Sequence, residues 1–352
     1  MAKSLKELQE QRRAYLEQLT GRDKRDKGLR IAASRKLFKT KLATADLHSH
    51  SKYSDGQSSV EENAERAKLV GIDMLFATDH GTIIQKRDVA KLPGATWGEE
   101  SHCGGFDMGL LQPRKVHKYM LNEPAAEGFA KGRALAPFVW AAHPVGFSGV
   151  NKAWFKISFE KLCTIDDLAM EVLNGFDATR SYYRTGVDGV RMMDALLCAG
   201  RTVTPVGVSD AHFLVEIGNS FTGVIGATKS AASIIKGLQE GRCFATEGPL
   251  VELSCNGKLM GSKVRAKKGT GLKLRLRAAD SFGLNTVRLV SDGKAINEIH
   301  AKGAKLVDET LVRKATAKRT YFRVEATAGD DLRAFSAAVY VNWEVGGVRF
   351  EV

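Results

Sequence analysis

Six of the eight histidines in this 352-residue chain stand at or just after the end of a strand-like run, several with a carboxylate beside them. They are His48, His50, His80, His102, His143 and His212. This placement restricts the fold more than any other feature of the sequence. Residues so far apart can meet only if the strands lie side by side and their C-terminal ends converge on one mouth, as in an α/β barrel.

The surrounding texture agrees with such a sheet. Residues 43–48, 73–78, 137–142, 168–173 and 203–208 read as strands, and 59–70 as a helix, the alternation of a βαβ chain with a parallel sheet or barrel. Ser59-Val60-Glu61-Glu62 has the form of a capping box, and Gly71 follows the last turn of that helix. After residue 247 the pattern changes to short β-rich segments such as GLKLRLRAAD and NTVRLVSDG, broken by D-G and N-G turns. They predict a small antiparallel β-sandwich of about 100 residues. Three units are expected: a basic N-terminal arm over 1–44 with an amphipathic helix at 4–20, an α/β unit over 45–247, and the β-sandwich over 248–352.

Charge follows the same division. Residues 1–44 carry a net +8 and residues 248–352 another +8, whereas 45–247 carry −3. An acidic middle between basic ends suits a cation-binding centre better than a nucleic-acid groove. No apolar run approaches the length needed to span a bilayer, so no integral membrane contact is expected. The five cysteines are odd in number and form no C-x-x-C pair, which fits a reducing, cytoplasmic setting and gives no thiolate zinc site.

Imidazole and carboxylate are ligands of Zn, Mn and Fe. In Asp46-Leu47-His48-Ser49-His50, strand alternation puts both imidazoles on one face. Asp55, in the turn Tyr53-Ser54-Asp55-Gly56, offers a further oxygen, and Gly56 and Pro144 read as backbone-shaping residues. Thr78-Asp79-His80 closes Met74–Ala77, Ala141-Ala142-His143-Pro144 closes Phe138–Trp140, and Ser209-Asp210-Ala211-His212 closes Val206–Val208. His117 and His300 lie outside the pattern and read as solvent residues.

The ordered set D-L-H-S-H, Y-S-D-G, A-T-D-H, A-A-H-P and V-S-D-A-H resembles the PHP (polymerase and histidinol phosphatase) superfamily over residues 44–246. Glu171–Gly175, Gly200-Arg201 and Glu247-Gly248-Pro249 look most like its carbaryl-hydrolase branch. The resemblance implies an α/β fold, a distorted (βα)7-type barrel holding two or three divalent ions. Carried over position by position, His48, His50, Asp55, His80, His102, His143, Asp210 and His212 match the ligand pattern. The family's bridging Glu would align with Ala95 or Thr96, so either Glu99 or Glu100 takes its place by a local shift, or the bridge is absent.

Such a centre implies a metal-dependent hydrolase of a small phosphoester, ester or carbamate, with Asp79, His80 and Asp210 as catalytic candidates and Asp46 orienting an imidazole. Arg180 and Arg184, with Tyr182 and Tyr183, are candidates for binding an anionic part of the substrate. Two alternatives belong to other classes: a nuclease that holds nucleic acid on the basic flanks, and a binding protein that keeps the ions for structure. The expected partner is a small-molecule ester or phosphoester.

Overall fold

The computed structural model describes residues 27–103, 105–118, 123–145, 157–175 and 185–343. The expected helix at 4–20 lies outside them. The chain enters through a helix over residues 27–38 (α1) and passes into β1 (Leu42–Asp46), so the expected boundary at residue 44 falls inside a strand. There follow α2 (Val60–Leu69), β2 (Met74–Ala77), α3 (Lys86–Val89), β3 (Ala95–Cys103), β4 (Phe106–Leu111), α4 (Ala125–Leu135), β5 (Phe138–Ala142), α5 (Phe159–Cys163), β6 (Leu168–Asn174), α6 (Thr185–Cys198), β7 (Val203–Val208), β8 (Phe221–Ile225), α7 (Ala231–Gln239) and β9 (Cys243–Thr246). The capping box predicted for α2 forms as read: Ser59 accepts from the Glu62 N–H, and the Glu62 carboxylate accepts from the Ser59 N–H at 2.7 Å.

These elements form a mixed α/β unit around one curled sheet, in the order β7-β6-β5-β4-β3-β2-β1-β8-β9. β1, β2 and β3 run parallel, as do β5, β6 and β7. The sheet is not parallel throughout, as the alternation had suggested: β4 pairs antiparallel to β3 and β5, and β8 antiparallel to β1 and β9. A hairpin needs only a short turn, so β3 and β4 meet without a crossover helix between them. The curl brings the ends of the path together. The Gly207 N–H of β7 donates to Thr222 Oγ1 of β8 at 3.0 Å, and past the strand ends Asp210 N donates to the His48 carbonyl and His50 N to the Ala211 carbonyl, each at 2.9 Å.

Beyond β9 the regular elements of the described residues are ten strands and one short 3-10 turn (Gly329–Asp331): β10 (Leu250–Cys255), β11 (Lys258–Leu259), β12 (Lys263–Val264), β13 (Gly271–Ala279), β14 (Leu284–Ser291), β15 (Lys294–His300), β16 (Leu306–Lys314), β17 (Thr320–Ala328), β18 (Arg333–Ser336) and β19 (Val339–Val341). Alternation in β13 turns Leu272, Leu274 and Leu276 inward and Lys273 and Arg275 outward. The inward set joins Leu253, Val287, Leu289 and Val324 in one apolar core. β18 pairs with β9, which ties these strands to the curled sheet. Helix α1 is a second tie: the Arg30 guanidinium donates to the buried Asp280 carboxylate at 2.7–3.0 Å, and Arg35 pairs with Asp73. Among the described residues no helix is long and apolar enough to cross a membrane.

Candidate metal centre

The strand ends of the curled sheet meet in a buried polar cluster. His48 and His50 leave β1 with their Nε2 atoms 3.0 Å apart. Two neutral imidazoles with both lone pairs at that separation need a cation or a proton between them. Glu171, an acidic residue in the fully buried strand β6, accepts from His48 Nδ1 at 2.8 Å, which leaves the His48 Nε2 lone pair aimed into the cluster. The same carboxylate accepts from the Trp140 indole at 2.9 Å, the His143 N–H at 2.8 Å and the Asn174 amide at 3.1 Å. Asn174 also donates to Asp210 at 3.1 Å, so it sets the spacing between the two acids. Trp140 reaches this position because residue 109 is glycine: a Cβ there would sit 2.0 Å from the indole ring.

Glu100 lies at the centre of the arrangement. Its Oε2 is 3.0 Å from His48 Nε2, 3.2 Å from His50 Nε2 and 3.2 Å from His80 Nδ1, while its Oε1 is 2.9 Å from His143 Nε2. Asp210 Oδ1 stands 3.2 Å from His50 Nε2 and 3.4 Å from His48 Nε2. The choice between Glu99 and Glu100 follows from strand alternation in β3. Glu99 points to the opposite face, where both its oxygens accept from the His117 N–H at 3.0–3.1 Å, and burial pushes its carboxyl up to about 7. The side-by-side pairing of His80 with Glu100, extending β2 past its end, sets the height of His80.

A third group forms the solvent side. Asp55 Oδ2 is 3.2 Å from His212 Nε2 and 3.7 Å from His80 Nε2. His212 donates from Nδ1 to the Asp210 carbonyl at 2.9 Å, again leaving Nε2 turned to its carboxylate neighbour. Gly56 lets this turn press against the His50 backbone, because a Cβ at residue 56 would lie 2.4 Å from the His50 carbonyl carbon. His143 and Asp210 both adopt left-handed backbone conformations, with φ of 29° and 49°. Such conformations are costly for residues with a side chain and here occur at two strand ends that face the cluster.

The electrostatics describe a strongly negative pocket. Burial alone would depress His48, but Glu100, Asp210 and Glu171 outweigh it and hold its pKa well above the usual value. Burial is likewise outweighed at His50, raised to about 9 by Asp210 and Glu100, and at His143, raised to about 10 chiefly by Glu100. Burial would raise the carboxyls of Glu100 and Asp210, yet the surrounding imidazoles hold both well below the ordinary carboxylate range. Asp55 is held low first by its hydrogen bond from His212. The fit to divalent cations is therefore chemical as well as geometric. Imidazole nitrogens and ionised carboxylates converge in three groups, namely His48, His50 and Asp210, then His48, Glu100 and His143, then His50, Asp55, His80 and His212, and a pocket that draws protons onto these rings would equally draw a cation in their place. The buried Glu100 Oε2 has no well-aligned hydrogen-bond donor of its own.

Eight of the ten residues expected to bind metal thus meet here. His102 instead faces Asp107, its cross-strand partner, with Nδ1 at 3.1 Å from Oδ1, and Glu99 is turned away. Asp79 accepts from the Ser51 N–H and from the hydroxyls of Ser51 and Ser54 at 2.8–2.9 Å, so it shapes the turn before Asp55. Asp46 is buried, accepts from the Ser209 N–H at 2.9 Å and does not bond an imidazole; burial raises its carboxyl to about 6. His117 is a buried residue, not a solvent one, and His300 is exposed as expected. Arg180, Tyr182, Tyr183 and Arg184 lie outside the described residues. Sequence reasoning missed Glu171, Asn174 and Trp140 as supports of the site. A lone acid inside the apolar run LAMEVLN was the available signal for Glu171.

A family model described as PHP-associated matches residues 197–243, the stretch from the end of α6 to the start of β9. Similar solved structures include a two-domain protein from Bacteroides vulgatus containing a predicted PHP-like metal-dependent phosphoesterase, 15% identical, covering 86% of this chain and 95% of that one with a TM-score of 0.44. The lesion-specific endonuclease EndoQ of Pyrococcus furiosus is 15% identical over 56% of each chain, with a TM-score of 0.36. Fibronectin(III)-like modules of Clostridium thermocellum CbhA are 25% identical, covering 26% of this chain and 93% of theirs, with a TM-score of 0.21. No curated protein matches the sequence.

Proposed function

We propose that the chain is a PHP-type metal-dependent hydrolase of phosphoesters, with residues 45–247 as the catalytic unit and 248–352 as a β-sandwich appended to it. The observation that carries this reading is the Glu100 carboxylate, one oxygen of which faces three imidazole nitrogens at 3.0–3.2 Å in a buried site. A buried carboxylate with that many imidazole neighbours has the chemistry of a group that would hold divalent cations together with them.

In this reading His48, His50 and Asp210 would hold one cation, His48, Glu100 and His143 a second, and His50, Asp55, His80 and His212 a third at the solvent side. Bound divalent ions would supply Lewis acidity toward water and toward the oxygens of the ester. The chain supplies the rest. Glu171 keeps the His48 proton on Nδ1, and the Asp210 carbonyl keeps the His212 proton on Nδ1, so that both Nε2 atoms remain ligands. His80 and Asp55 stand at the exposed edge, where an ester can enter without displacing the buried groups. The match of residues 197–243 to the PHP-associated model supports the reading.

The test compares metal-stripped protein with protein reloaded separately with Zn, Mn and Fe, on p-nitrophenyl phosphate, its bis ester, single-stranded DNA and naphthyl carbamate. Metal-dependent turnover of a phosphate ester is expected. Turnover of the carbamate alone would favour the carbaryl-hydrolase-like chemistry, and turnover of DNA alone a nuclease. Metal retention without turnover of any of them would contradict a hydrolase.

A further inference from the structure

We propose that Tyr53, Ile84 and Phe213 form an apolar rim on the open side of the metal centre, and that the substrate carries an aromatic or similarly flat apolar group beside the ester that enters it. This rests on the metal-dependent reading above and adds the chemical class of the group that flanks the reacting bond.

Tyr53, Ile84 and Phe213 are 39%, 57% and 45% exposed, large apolar side chains that the fold leaves in solvent. One exposed apolar side chain means little. These three are each attached to the solvent-side ligand group: Tyr53 precedes Asp55 by two residues, Ile84 follows His80 by four, and Phe213 follows His212 directly. The loops that carry them are laced together. Gln57 N donates to the His212 carbonyl at 2.8 Å, which lays the Tyr53 turn beside Phe213. The Tyr53 hydroxyl donates to Asp88 in α3, the helix that begins two residues after Ile84.

The backbone that carries the rim is held in place before any ligand arrives. Glu216 Oε2 accepts from the N–H groups of His212 and Phe213 at 2.8 and 2.9 Å, and the Ile84 N–H donates to Thr82 Oγ1 at 3.2 Å. A few convergent polar groups with apolar walls around them are the usual make-up of a small-molecule site. Here the polar end is the imidazole and carboxylate cluster, which takes the anionic ester. Tyr53, Ile84 and Phe213 offer nothing to a charged or strongly hydrated neighbour beyond the Tyr53 hydroxyl, already committed to Asp88.

The test uses the metal-loaded full chain and two anions that share a phosphonate head, phenylphosphonate and methylphosphonate, titrated by calorimetry. Phenylphosphonate is expected to bind about tenfold more tightly. Phe213→Ser and Ile84→Ser, both at exposed positions, are each expected to lower that ratio by a factor of about three with metal content unchanged. Equal affinities for the two anions, or a ratio that neither substitution alters, would overturn the rim while leaving the metal reading intact. Failure of both anions to bind, or loss of metal from the unaltered chain, would overturn the metal reading and the rim with it.

Discussion

The mouth of the curled sheet and the core between the strands after β9 are both buried and are filled with opposite chemistry. In the C-terminal region every inward position of β13 is leucine or alanine, packed on valine and leucine of β14 and β17. At the mouth the buried side chains are His48, His50, Glu100, His143, Glu171 and Asp210. The first arrangement stabilises the chain by itself, since removal of apolar surface from water is the main favourable term in folding. The second is expensive to bury and holds only because each acid faces an imidazole and each imidazole an acid. The difference teaches where to look for function: a fold keeps such a cluster when something bound there repays it.

That contrast can be broken experimentally, and the largest effect is expected at its sharpest point. Glu100→Gln should lower phosphoester hydrolysis by about a thousandfold, while circular dichroism of the β-rich region stays as in the parent. Retained activity would remove Glu100 from the centre. Next is the tie between the regions. Arg30→Ala leaves the Asp280 carboxylate buried and unpaired, and should cost about 3–5 kcal/mol of stability in urea unfolding. Leu274→Ala, inside the apolar core, should cost about 2–5 kcal/mol and leave metal content per folded chain unchanged. A loss of metal in that variant would mean that the two regions are not independent.

Smaller effects sharpen the comparison. Trp140→Phe removes the indole donor from Glu171 and should weaken metal affinity by about tenfold, read by competition with a chelator. Away from the mouth, Asp73 is a half-buried acid held below its ordinary pKa: burial would raise it, but Arg35 and the Thr44 N–H outweigh that. Because its folded value is the lower one, its contribution to stability is complete above the ordinary carboxylate pKa and is lost as pH falls through the folded value. Asp73→Asn should therefore destabilise the protein by about 1 kcal/mol at neutral pH and flatten the acid limb of its stability profile. An unchanged acid limb would contradict the assignment.

Much of this was legible in the sequence, for physical reasons that differ by residue. The strands ending at Ala77, Ala142 and Val208 are short apolar runs bounded by polar ends, and Ser59 and Glu62 carry their capping chemistry in their identities. The gathering of His48, His50, His80, His143 and His212 followed from their strand-end positions. β3 was illegible because Glu99, Glu100, Ser101 and His102 are polar on both faces, which erases the period-two signal of a strand. Neither could spacing distinguish Glu99 from Glu100, because only the register of β3 against β2 decides which of two adjacent acids points inward. His117 looked like a surface residue within Lys115–Tyr119, yet its N–H closes on Glu99 behind the sheet.

The most direct test is metal content per chain, by elemental analysis of protein purified without chelator, in the parent and in Glu99→Gln and Glu100→Gln. The two acids are adjacent in sequence and face opposite ways. Divalent metal bound to the parent and to Glu99→Gln, and largely lost from Glu100→Gln, is the predicted result. A parent without divalent metal, or equal metal in the two variants, would contradict it.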